Sequence, residues 1–585
     1  MDRLTRDICP ANLFKDRPTI CFYPQVSGDL RVLKTREKSV VTMDIGAFRA
    51  RETILQGLDG TVYQSRQLRT LTPYRATFGY DVLVHVGRAL FMHCHNEQEI
   101  IKDLASNNVV ISQREIGFLG KKFIAYLAIA HQQSRHRLKQ VMASRGGYIL
   151  HLDGTCEGDS PHLFTGMDGI AQIVLDNIKL PSEKAELLIP FFQRIKQQYG
   201  DPVALVHDMG RGILSAVKAV FQGIPDFICH FHFLRDIGKD LFDKEYAIIR
   251  NRLKKHKIRS LLRQRAKVLE KVIGDDSQSF YHLAVSIDSG EPPVMEKMAP
   301  MAAYTIIHWV FDRSELEGYG FPFDCPHLVF YRKLTVLHDM VNAQVGTNKA
   351  FSGLWRPLTK VVEDQQLKRA ASQMDKKVKV FNKLRTALSI AVPQSNKGLN
   401  DDGQLKPIKS IEKEVKKFRQ EILSEKEQCK DDYKNMIKQI DKYWDKLFAD
   451  PIVVNSPNGQ LTIQPQRTNN ILERFFRDLK RSNRKKSGTI SLNRMLRSIL
   501  ADTPLVKNLD NPDYLEIILD GCNTLEERFE KIDGRMVLEK LEVAKKNNDR
   551  ISPEVKKIIR RPDLPERLTI LLNDSNIDTN RYLLS

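Results

Sequence analysis

Along the first 90 residues the hydrophobic pattern is short and alternating. Segments such as Asp29–Leu33 and Lys38–Met43 are separated by polar and turn residues, which predicts brief strands in a β-rich, irregular region. The pattern changes period over residues 96–131. Ile100, Ile101 and Leu104 predict one short amphipathic helix, broken at Asn107-Asn108. A second helix opens at Ser112, where Ser112 and Glu115 have capping-box spacing, and Ile116, Leu119, Phe123 and Leu127 form its apolar stripe. Two helices with a short break suit a helix-turn-helix, with Gln113, Arg114, Lys121 and Lys122 as its polar contacts. A plain helical hairpin in a core gives the same pattern.

Residues 146–240 read as an α/β unit. GGYILHLDG, HLFTGMDG and QIVLDNIKL predict three strands, with Asp168-Gly169 at a hairpin turn. SEKAELLIPFFQRIKQQYG predicts a helix capped by Ser182 and stopped by Gly200. PVALVHDMG is a continuous apolar strand that ends in Asp208, and a helix, the short strand DFICHFHF and another helix follow. The order is three strands of meander, then alternation. Residues 250–460 carry long, charged helical patterns without a heptad register, and 395–407 (SNKGLNDDGQLKP) read as a loop. Trp309, Trp355 and Trp444 all fall here, where a core role outweighs base stacking.

A chain of 585 residues suits about three to five domains. A hydrophobic content of 42% and a charged content of 28% are globular values. There is no apolar run long enough for a membrane span, and the start lacks a secretory pattern. Eight sparse cysteines argue for a reducing, intracellular setting, and Cys9 and Cys21 have no CxxC partner for a zinc site. The charge adds most: 92 Lys and Arg against 72 Asp and Glu leave a net +20, which suits a polyanion such as nucleic acid.

Three carboxylates carry the candidate chemistry. Asp153 and Asp208 each end an apolar strand just before a turn, at the sheet edge where ligands collect in α/β folds. If the strands are neighbours, the two acids converge and repel unless a cation lies between them, and hard oxygen donors favour Mg²⁺ or Mn²⁺. Taken singly, each Asp is also ordinary turn chemistry. The third carboxylate is in RTNNILERFFRDLKRSNRKKSG. Leu472, Phe475, Phe476 and Leu479 make a buried helical stripe, and Glu473, Arg477, Lys480 and Arg484 make a second row beside it. A carboxylate to hold metal followed by cations to hold phosphate fits phosphodiester cleavage. A solvated charged face is the plainer reading.

LHLDGT, LVHDMG followed by CHFHFLRDIGKDL, and NNILERFFRDLK resemble, in order, the three signature blocks of DDE transposases with a ribonuclease H-like fold. The likeness is to the bacterial insertion-sequence and Mutator-like groups that carry a helical insertion between the second Asp and the Glu. Asp153 and Asp208 are 55 residues apart, and Asp208 and Glu473 are 265 apart, room for such an insertion. The resemblance implies that Asp153, Asp208 and Glu473 bind two Mg²⁺ (or Mn²⁺) ions, one activating water or a 3′-hydroxyl and the other steadying the leaving oxygen. It implies that Cys229 and His232, a C-x-x-H pair, support the site, with His232 near a phosphate. Arg477, Lys480, Arg481, Arg484, Gln113 and Arg114 would contact DNA. Asp159, Asp168 and Asp176 read as loop or turn acids. Related transposases often carry an N-terminal zinc module with paired cysteines, and this chain lacks the pairs.

The expected architecture is an α/β ribonuclease H-like core with a large all-α insertion and an N-terminal DNA-binding region. Residues 1–140 would hold the β-rich region and helix-turn-helix, 141–248 the first part of the core, and 249–460 the insertion. Residues 461–505 would hold the final catalytic helix and 506–585 a helical tail. The expected partners are double-stranded DNA (element terminal inverted repeats and target) and further copies of the chain, as a homodimer or larger assembly. The expected setting is a prokaryotic cytoplasm, on the nucleoid. A nuclease of the same fold without strand transfer and a catalytically inert DNA-binding relative are the alternatives.

Overall fold

The computed structural model describes residues 17–274, 277–290, 297–344, 349–395, 406–424, 427–457, 459–548 and 553–574. Cys9 and most of the 395–407 loop lie outside the described residues.

At the N-terminus, strands β1 (Thr19–Phe22), β2 (Leu30–Thr42), β3 (Gly46–Gly57) and β4 (Val62–Tyr63) form one four-stranded sheet. β2 is a single strand where the alternation suggested two. Residues 31–37 of it are exposed on both faces, with a register shift against β3 between Val32 and Lys34, so no apolar alternation runs through although the strand does. Val40, Phe48, Ala50 and Phe22 on one face pack with Leu68 as a small separate core.

Helices Tyr80–Phe91, Glu97–Ser106 and Gln113–Ser144 follow. Ser112 accepts from the Glu115 amide at 3.2 Å, the expected cap, but the reciprocal capping box forms one helix earlier, between Asn96 and Glu99. The 32-residue helix Gln113–Ser144 differs from a recognition helix. Beyond its expected stripe it also buries Ile124, Ala125, Tyr126 and Ala128–Ala130. A helix apolar on all sides belongs in a core, and this one packs in the same core as the central sheet. The middle of the long helix, Lys122–His131, is therefore a core segment, while its first turn and, on one side, its last three turns are open to solvent.

The central sheet has the anticipated element order. β5 (Ile149–Thr155), β6 (His162–Asp168) and β7 (Ile173–Leu180) are an antiparallel meander, and β8 (Ala204–His207) and β9 (Asp226–Ile228) join in parallel, giving the spatial order β7-β6-β5-β8-β9. Asp168 makes the β6–β7 turn by accepting from the amides of Ile170 (2.9 Å) and Ala171 (3.3 Å). Helices Ala185–Tyr199, Arg211–Val220 and His230–Lys255 complete the unit. Lys184, not Ser182, caps the first of these, while Gly200 (φ +87°) stops it as expected. Glu183, between Ser182 and the cap, turns instead to His162, whose Nδ1 lies 3.0 Å away.

From Ile258 to Leu447 the described chain is helical and encloses its own core with the helix His230–Lys255. The helical reading fails at its end, where β10 (Ile452–Ser456) and β11 (Gly459–Ile463) form an antiparallel hairpin. β-branched runs either side of Pro-Asn-Gly are a hairpin signal that the charged helices before it overshadowed. Helices Asn470–Ser487 and Leu492–Ser498, a 3₁₀ turn at Thr503–Asp510, and helices Pro512–Leu519 and Leu525–Glu530 return to the central core. Tyr514 and Phe529 are fully buried there, so the first part of the expected tail is a core element. Among the described residues no helix is long and apolar enough to cross a membrane.

Candidate active site

The site forms where β8 ends beside β5: Asp208 follows the last residue of β8 as expected, whereas Asp153 lies inside β5, which pairs on with β6 to Thr155 instead of turning. In their parallel register Leu152 lies opposite His207, so Asp153 and Asp208, each one residue on, stand abreast. The Asp153 carboxylate accepts from the neighbouring Gly154 amide at 2.8 Å and is otherwise buried. Asp208 Oδ1 is buried with no hydrogen-bond partner. Burial and the Asp208 charge, with Glu473 adding to them, hold the Asp153 carboxyl well above the usual carboxylate range.

The remaining groups arrive on two helices. Cys229 is the N-cap of the helix His230–Lys255 and His232 lies in its first turn. Glu473 lies in the first turn of the helix Asn470–Ser487, its Oε1 3.4 Å from His232 Nε2. Burial works against a charged His232, but Cys229, Asp153 and Asp208 outweigh it and hold the imidazolium well above its ordinary range. All five residues expected to serve the site, Asp153, Asp208, Glu473, Cys229 and His232, thus meet in one place.

Residues that sequence reasoning missed fix the Glu473 helix there. Asn469, its N-cap, is fully buried. Its amide Nδ2 donates to Leu152 O (2.8 Å), its Oδ1 accepts from His151 Nδ1 (2.9 Å), and its backbone N–H donates to Cys229 Sγ (3.2 Å). One side chain therefore ties the helix to β5, and its backbone ties it to the Cys229 turn. Burial pushes His151 down to about 4, so a neutral ring serves this bond. Next door, the His230 amide donates to Arg467 O (2.9 Å), and Arg467 Nη1 donates to Leu388 O (2.7 Å). His230 Nε2 donates to Leu447 O at 2.6 Å, so the insertion is anchored at the foot of the site. These contacts join residues some 80 to 320 positions apart, and no local periodicity announces them.

The Glu473 helix buries Leu472, Phe475 and Phe476 and half-buries Leu479. Arg477, Lys480, Arg481 and Arg484 are exposed, and Arg481 has a loose ion pair with Asp478 at 3.9 Å. The far end of this helix, with Lys485 and Lys486, faces the start of the helix Gln113–Ser144 across a cleft of about 740 Å³ that Gln113 and Lys121 also line. Gln113 bonds Glu97 across the hairpin. Arg114 is exposed on the same first turn. The three acids read as structural behave so: Asp159 pairs with Arg497 (3.0 Å), Asp176 with Arg194 (2.6 Å), and Asp168 makes its turn.

As the side chains stand, no group of three His, Cys, Asp or Glu among the described residues is set to hold a metal ion. The donor chemistry nevertheless fits a hard divalent cation. Two carboxylates are forced together under cover, one oxygen has no partner, and a third carboxylate lies within reach of the same histidine. Comparison with protein-family models finds no match, and comparison with curated proteins finds none either.

Proposed function

We propose that this chain is a metal-dependent DNA-cleaving and strand-joining enzyme of the DDE transposase kind, built on a ribonuclease H-like core. The observation that carries the reading is the meeting of Asp153, Asp208 and Glu473, from two adjacent parallel strands and a helix 265 residues later, with His232 as their one nearby partner and Asp208 Oδ1 buried without a hydrogen bond. The sheet order β7-β6-β5-β8-β9, a meander continued in parallel, supports the fold assignment, and the two-core layout supports a helical insertion.

Asp153, Asp208 and Glu473 would hold one or two Mg²⁺ or Mn²⁺ ions, which when bound supply an activated water or 3′-hydroxyl and charge relief at the leaving oxygen. The chain's own residues do the rest. His232, whose Nε2 lies 3.4 Å from Glu473 and whose Nδ1 is buried without a partner, would offer a proton-bearing nitrogen to a phosphate oxygen at the same end of the sheet. Asn469 holds the Glu473 backbone in place. The exposed cations Arg477, Lys480, Arg481 and Arg484 lead the phosphate backbone away from the carboxylates.

The test is cleavage of a supercoiled plasmid carrying the gene's native flanking DNA, with Mg²⁺, Mn²⁺ or chelator. Cuts at two fixed borders with joined products support strand transfer. Cuts without joining place the chain with plain nucleases, and DNA binding without cuts in any metal contradicts the enzymatic reading.

A further inference from the structure

In the helical insertion, away from the carboxylates, the charges of four arginines act on one another or on His327. Arg250 lies on the helix His230–Lys255, Arg259 and Arg263 one turn apart on the helix Ile258–Ile273, and Arg313 in the loop after Phe311. Aromatic rings hold two of them: the Arg259 guanidinium sits 3.8 Å over Phe330 and that of Arg263 5.4 Å over Phe311. Tyr246 stacks on Phe321 at 4.2 Å and lies 5.1 Å from the His327 ring.

None of the four has an ion pair among the described residues. The acids nearby are engaged elsewhere: Glu315 with Lys333, Glu245 with Lys377, and Asp312 with Ser314. Burial and the charges of Arg313 and Arg263 hold Arg259 below its ordinary value. His327, on which the charges of Arg259, Arg250 and Arg313 act, has its Nδ1 buried without a partner. Like charges gathered without counter-ions, steadied by ring faces and facing an unmatched nitrogen, form a receptor for a polyanion.

Its position narrows the ligand. Arg250 follows His232 by 18 residues on one continuous helix, about five full turns, so both project from the same face, roughly 27 Å apart. That span is about eight steps of a DNA strand at 3.4 Å each. We propose that Arg250, Arg259, Arg263 and Arg313, grouped about His327, grip the phosphate backbone of duplex DNA some eight base pairs from the point of cleavage. This rests on the DNA-cleaving reading above.

The test measures binding of a 30-base-pair duplex to the full chain by fluorescence anisotropy over a salt series, without divalent metal. Arg250→Ala with Arg313→Ala removes two exposed cations and should lower the slope of log K against log salt by about 1.8, at roughly 0.9 per lost phosphate contact. Arg313→Glu, the same change of two charges at one site, should also weaken binding, and Lys416→Ala with Lys417→Ala should leave the slope unchanged. An unaltered slope in the arginine variants, with the wild type binding well, overturns this inference alone. Failure of the wild type to bind DNA overturns the functional reading with it. A thermal shift by millimolar inorganic phosphate, lost in the double arginine variant while the DNA slopes stay equal, would assign the cluster to a small phosphorylated ligand and overturn the DNA assignment.

Discussion

The α/β core and the helical insertion treat buried charge in opposite ways. In the insertion most buried ionic groups have a close opposite, and Asp324 is satisfied by the backbone amides of Glu317 and Gly320. Asp364 is held by Arg252 and His256, both at 2.7 Å, Glu245 by Lys377 at 2.8 Å, and Arg385 by Glu317 at 2.6 Å. In the core, Asp153 and Asp208 lie side by side and the nearest cation is a histidine already shared with Glu473. Pairing of the first kind fixes helices in place. Like charges under cover cost folding free energy, and their presence points to a role beyond holding the fold. The arginine cluster is the same signature with the sign reversed, nearer the surface.

That contrast makes predictions of graded size. Asp208→Asn should reduce DNA cleavage by roughly 10²–10³-fold or more, yet raise the melting temperature because it removes a repelling charge beside Asp153; a variant that loses stability would erase the contrast. Asp364→Ala should do the reverse. It strands Arg252 and His256 and removes the N-cap bond to Leu367, costing about 2–4 kcal/mol in urea unfolding with little change in cleavage per folded molecule. Asn469→Ala sits between the two. It leaves the His151 and Leu152 groups unmatched, at about 1–3 kcal/mol, and should also slow cleavage by freeing the Glu473 helix; a stability loss without a rate loss would remove its positioning role. Smallest in stability is Arg477→Ala with Lys480→Ala, within about 0.5 kcal/mol of the wild type, yet it should flatten the salt dependence of DNA binding by about 1.8 in slope.

Much of the core was legible in the sequence because its signals are local. The element order from 146 to 255 follows from apolar runs and turn residues, and the stripe Leu472, Phe475, Phe476 sets which way Glu473 faces. Asp153 and Asp208 stood out by their places at strand ends, and only the β5–β8 pairing decides that they meet. The rest was hidden for physical reasons. Asn469, Arg467 and His230 act through single contacts across distant segments. Gln113–Ser144 shows a one-sided stripe in the sequence, but the wrapping of its middle, Lys122–His131, by core elements on all sides is tertiary. The exposed, polar stretch Lys34–Glu37 splits β2 into two apparent segments. The four arginines come from two helices and a loop whose adjacency no period encodes.

Asp153, Asp208 and Glu473 are proposed to hold a divalent cation together. Mn²⁺ titration followed by electron paramagnetic resonance, on the wild type and on Asp153→Asn, Asp208→Asn and Glu473→Gln, measures this without any DNA. Saturable binding by the wild type, weakened in each variant and accompanied by a rise in wild-type melting temperature, is the predicted result. Identical binding curves for the wild type and all three variants would contradict it.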